Sequence, residues 1–113
     1  MPSAPLNRHK HGVITKYATA NAAANLQLVA APAAGIKIRV VSVFVSAEAD
    51  NTVTFTSAAV ATTNPAYVAA KGGYVLEHNE AGWFETTAGE ALGITLAFAT
   101  NVGITINYKL SQV

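Results

Sequence analysis

Three observations predict an all-β fold, a sandwich or a barrel. Apolar residues recur at every second position in several stretches, turn residues punctuate the chain at roughly 8–12-residue spacing, and no convincing amphipathic helix appears. About eight short strands result, in one domain, because 113 residues leave no room for a second.

Residues 1–11 hold two prolines, a serine and the cluster Arg8-His9-Lys10-His11, and read as a flexible N-terminal arm without packing of its own. Gly12 ends the arm, residues 12–113 form the single β-domain, and a strand begins at residues 13–17. Asn21-Ala22-Ala23-Ala24-Asn25 is too short for a free-standing helix and reads as a loop. Residues 26–29 form a short strand closed by Pro32 and Gly35. Residues 36–46 are the most β-branched segment, with Ile36, Ile38 and Val40 on one face but Val41, Val43 and Val45 on the other. Such a phase change requires either a β-bulge near Val40-Val41 or a strand covered on both sides. The covered strand is preferred, since Phe44 would otherwise stand in water. After a turn at Asp50-Asn51, Val53 and Phe55 face in while Thr52, Thr54 and Thr56 face out. Tyr67-Val68 is a short strand, Lys71-Gly72-Gly73 a turn, residues 74–78 a strand, and Trp83-Phe84 a brief one. At the end Ile94, Leu96 and Phe98 alternate with small residues. Beyond Asn101-Val102-Gly103 the same is true of Ile104, Ile106, Tyr108 and Leu110, a pattern that predicts a β-hairpin.

Composition narrows the function. Hydrophobic residues make up 51% of the chain and charged residues only 12%, about half of the ~25% usual in soluble domains. Alanine is about a fifth of the chain. A surface this poor in charge is suited to being covered by other protein chains. The absence of cysteine excludes disulfides and Cys-ligated zinc. The N-terminus has no apolar run after its basic residues and is not expected to be a secretory signal, and no apolar run is long enough for a membrane span. Arg8, Lys10, Lys16, Lys37 and Arg39 all precede the first acid, Glu48, so the basic start is expected to meet an acidic partner.

Trp83-Phe84-Glu85-Thr86-Thr87-Ala88-Gly89-Glu90-Ala91-Leu92 resembles an element near the end of small β-sandwich virion structural proteins of tailed bacteriophages, where a hairpin ending in an aromatic, here Tyr108, follows. Ile38-Arg39-Val40-Val41-Ser42 and Val53-Thr54-Phe55 resemble their early strands. The resemblance implies an antiparallel jelly-roll-like β-sandwich. It also implies a homo-oligomer, a trimer, that acts as a capsid decoration or cement subunit on the major capsid protein. Such a protein is made in the host cytoplasm and resides on the capsid surface of the virion. The role implied is structural and non-enzymatic, with no catalytic residue or cofactor to carry over. The alternative is a glycan-binding module, or a tail or fibre component for host attachment.

Candidate sites follow from residue type. Arg8, His9, Lys10 and His11, with Lys16, are candidates for pinning the chain to an acidic groove on a partner. Nucleic-acid binding would need more cations and interleaved aromatics. His9 and His11 lack the third ligand and organised surroundings of a metal site. Glu77, Glu80, Glu85 and Glu90 surround Trp83 but sit at turns and strand edges, where solubility or subunit salt bridges explain them better than glycoside hydrolysis. Trp83 is expected in the core or a subunit interface, and a sugar platform with Tyr67 or Tyr74 is the second reading. Thr52, Thr54, Thr56, Thr95 and Thr105 are expected at subunit interfaces, because small polar residues make flat faces with little side-chain entropy to lose.

Overall fold

The computed structural model describes residues 12–112. The expected basic arm, residues 1–11 with Arg8, His9, Lys10 and His11, lies outside the described residues. Ten strands follow: β1 Ile14–Ala20, β2 Asn25–Val29, β3 Ile36–Ala47, β4 Asn51–Ser57, β5 Val60–Ala61, β6 Ala66–Val68, β7 Gly73–Leu76, β8 Phe84–Glu85, β9 Leu92–Leu96 and β10 Val102–Gln112.

Their pairing is nested. β1 pairs with β10, β2 with β9, β3 with β7 and β8, and β4 with β5 and β6, all antiparallel. The chain is therefore one long hairpin, folded back at Ala58-Ala59. It rolls up because β10 also pairs with β3, and β9 with β4. Two sheets result: a front sheet β1-β10-β3-β7 with β8 beside β3, and a back sheet β2-β9-β4-β5 with β6 beside β4. This is the connectivity of a jelly roll, the expected fold class. The two inner faces share one core, with Ile38, Val43, Ile104 and Ile106 from the front and Phe55, Leu92, Ile94 and Leu96 from the back. Phe55 is 2% exposed, and its ring centroid lies 4.9 Å from that of Phe84.

The expected terminal hairpin does not form. β9 and β10 lie in different sheets, so Ile94 and Ile104 enter the core from opposite sides. Alternation says which side chains face in, and it is silent on which strand is the partner. Buried Asn51 holds the crossing. Its Nδ2 donates to Phe98 O at 3.0 Å and Thr100 Oγ1 at 2.8 Å. Its Oδ1 accepts from the amides of Thr52, Ala97 and Phe98 at 2.8, 3.1 and 3.1 Å.

The phase change in β3 resolves as a bulge, against the preferred covered strand. Ser42 pairs with Asn107 and Val40 with Tyr108, leaving Val41 without a partner on β10. Val40 and Val41 are both fully buried. The extra residue lets Ile38 and Val40, then Val43 and Val45, all face the core, while Val41 is buried outside the core cluster. Resetting the phase forces Phe44 outward, where it is 51% exposed.

The fold-back at Ala58-Ala59 is a two-residue hairpin with φ of 49° and 67°. Left-handed backbone costs an L-residue roughly 1–2 kcal/mol, and Asn-Gly is the usual occupant. Replacing Ala58→Asn and Ala59→Gly together is expected to raise stability by about 1 kcal/mol, read as a higher urea midpoint with an unchanged slope. An unmoved midpoint would show that the turn is unstrained. Asn51→Ala is expected to lower stability by about 2–3 kcal/mol through its lost hydrogen bonds, and a loss below about 0.5 kcal/mol would remove Asn51 as the clamp of the β9–β10 crossing.

Candidate functional site

The outer face of the front sheet divides into two halves. The end near the bulge is charged. Glu85, on β8, accepts from Lys37 Nζ at 3.2 Å and Arg39 Nε at 3.3 Å, both on β3. Glu80, in the β7–β8 loop, meets Lys109 Nζ at 2.6 Å and His78 Nε2 at 2.7 Å. The Lys109 hydrogen bond, then that of His78, holds the Glu80 carboxyl below its ordinary value. For Glu85, burial pushes the carboxyl up, but hydrogen bonds and charge from Lys37 and Arg39 outweigh it and hold the group below its ordinary value. Trp83, 45% exposed, belongs to this end: its amide donates to Val40 O and its indole Nε1 to Glu77 O at 2.7 Å.

The other half carries almost no charge. Its strands are in register, so side chains form rows across the sheet. Tyr17, Thr105, Phe44 and Val75 stand in one row, on β1, β10, β3 and β7. Tyr17 is 76% exposed and Val75 59%. With Phe44 they make an apolar ridge across the strands. Beside it runs a row of small residues, Thr19, Gly103, Ser46 and Gly73. Two open depressions follow that row. One, of about 350 Å³, lies between Tyr17 and Phe44 over Gly103. The other, of about 450 Å³, lies over Gly73 and is bordered by Phe44, Lys71 and Val75. Gly73 is obligatory there, because a Cβ would fall 1.9 Å from Val45 O. On the far side of the ridge, Thr15, Asn107 and Ser42 are joined by hydrogen bonds of 2.5 and 2.6 Å.

The predicted interface residues do not lie together. Thr52, Thr54, Thr56 and Thr95 occupy the outer face of the back sheet, and Thr105 the front sheet. Thr54 stands opposite Thr95, and Asn25 Oδ1 accepts from Thr56 Oγ1 at 2.7 Å and Thr95 Oγ1 at 3.1 Å. Thr56 is only 2% exposed, so its own chain already covers it, contrary to the flat open threonine face expected. Lys16 is exposed on the edge strand β1, opposite Ile106.

No aromatic platform assembles around Trp83. Tyr67 projects from β6 of the back sheet, and Tyr74 packs against the core, where burial pushes its phenol up to about 12. The carboxylates disperse as well, since Glu90 accepts from Ser57 Oγ at 2.6 Å near the back sheet. Among the described residues no three His, Cys, Asp or Glu side chains converge as a metal site. The ridge itself escaped the sequence reading. Its signal was Phe44, whose phase against Val43 and Val45 points outward once a bulge is admitted.

Because Glu85 is depressed in the folded state, its contribution to stability is present above the ordinary glutamate value of 4.5 and is lost as pH falls through the lower folded value. In a Lys37→Ala, Arg39→Ala variant only burial remains. Carbon-detected NMR titration is then expected to place the Glu85 carboxyl above 4.5. Titration still below that value would show that the two cations are not what depresses it.

No protein-family model matches the chain, and no curated protein sequence matches it. The functional reading therefore rests on the surfaces described above.

Proposed function

We propose that this chain is a non-catalytic structural subunit of a virion, a decoration or cement protein that works by being covered. The observation that carries the reading is the uncharged half of the front sheet, where the exposed residues Tyr17, Phe44 and Val75 are gathered in one row across the strands. Aromatic and aliphatic residues grouped on a rigid sheet are characteristic of protein contact surfaces. The jelly roll serves viral coats and sugar-binding domains alike, so topology does not choose between them. A protein bound across a seam between major capsid protein subunits stabilises the assembled shell, because it binds the assembled state and not the separated one. Arg8, His9, Lys10, His11 and Lys16 would reach an acidic groove on that shell.

The second reading is attachment to a host glycan as part of a tail or fibre. The aromatic and hydroxyl lining between Tyr17 and Phe44, with Thr19, Ser46 and Thr105, favours it.

The test is localisation on intact particles with a gold-labelled antibody raised against the purified chain. Labelled heads support the proposal. Labelled tails or fibres move it to host attachment, and label confined to soluble protein ends it. Deleting residues 1–11 is expected to weaken co-sedimentation with particles, and undiminished binding would remove the arm from the mechanism.

A further inference from the structure

We infer that the uncharged half of the front sheet is the docking surface for a second copy of this chain, paired through a two-fold axis lying in the interface and running across the strands, between ridge and trough. The inference deepens the proposed structural role and rests on it.

A two-fold interface must be self-complementary: whatever residue i meets in the partner, the partner's residue i meets in return. Ridge and trough satisfy this condition. They run parallel, one alternate-residue step apart, or about 7 Å. Each ridge residue has a trough residue two positions away on its own strand: Tyr17 with Thr19, Thr105 with Gly103, Phe44 with Ser46, Val75 with Gly73. Rotation about the stated axis exchanges the rows, so each large side chain arrives over the small residue of its own strand in the other copy. Phe44 gains most, because Ser46 is flanked in its row by Gly103 and Gly73. That gap between glycines is where a ring can settle between two sheets spaced about 10 Å apart.

Charge follows the same exchange. Lys71 lies two residues before Gly73, and Glu77 two residues after Val75. Both are exposed, and neither joins an ion pair among the described residues. The axis that swaps ridge and trough carries Lys71 of one copy toward Glu77 of the other, twice per pair. Four strands about 4.8 Å apart, with three rows of outward side chains, span about 19 Å by about 20 Å, so two such faces cover roughly 760 Å². That footprint is below the ~1,000 Å² of a stable complex and fits a weak, concentration-dependent pair.

The test is sedimentation velocity of the full chain at tens of micromolar, with circular dichroism and thermal melting to confirm that each variant stays folded. The wild type is expected to form an even-numbered assembly, and Phe44→Lys, on the exposed ridge, to be monomeric with an unchanged melt. Glu77→Lys is expected to weaken association about tenfold by setting like charges against each other at two symmetric positions, and the double variant Lys71→Glu, Glu77→Lys to restore it. A trimer indifferent to Phe44→Lys would overturn this inference and leave the virion reading standing. A double variant as weak as the single would overturn the two-fold register. A wild-type monomer retained on a glycan array in a Phe44-dependent way would overturn both, and would give the face to a sugar.

Discussion

The ladder between β3 and β10 is the constraint on which the molecule depends. It is the pairing that closes the long hairpin into a roll, and both strands are central in the front sheet. Its one irregularity, the unpaired Val41, does two jobs. It turns the second half of β3 so that its valines complete the core, and it curves the strand where the chain needs carbonyls for a loop. Asn79 N and Trp83 N donate to Val41 O and Val40 O, both at 2.8 Å, so the β7–β8 loop is fastened at the bulge.

The segment Trp83 to Leu92 can be understood in the same terms, residue by residue. It runs as a strap along the open edge of β3 and then crosses to the back sheet. Phe84 pairs with Val40 and Glu85 with Arg39. Thr86 exchanges two 3.0 Å bonds with Ile38, one through its hydroxyl. Gly89, at φ 77°, donates to Ile36 O. Glu90 then takes the Ser57 hydroxyl, and Leu92 enters the core at the start of β9. A strap that carries a chain from one sheet edge to the other sheet needs these residue types for its geometry.

Charge is segregated on the front sheet. The bulge end pairs Glu80 and Glu85 with neighbouring cations and remains compatible with water. The other end exposes apolar rows and hydroxyls, which lose little side-chain entropy when covered. Leaving Tyr17, Phe44 and Val75 in water forfeits burial worth on the order of 1 kcal/mol each. A sandwich with a complete core of its own has no internal means of recovering it.

Alternation and turn residues were enough to determine that the chain is all-β and where most strands run. The core positions Val53, Phe55, Ile94, Leu96, Ile104 and Ile106 were legible for the same reason, because period two is local and each strand carries its own. The two-residue strand β5 was not, since Val60-Ala61 is too short to show a period. Partner choice was out of reach, because pairing is decided by contacts distant in sequence. Ile94 and Ile104 have the same pattern whether their strands share a sheet or face each other across the core. The outward ridge depended on that choice too. Only the register of β1, β10, β3 and β7 brings Tyr17, Phe44 and Val75 into one row, and only the bulge decides that Phe44 faces water.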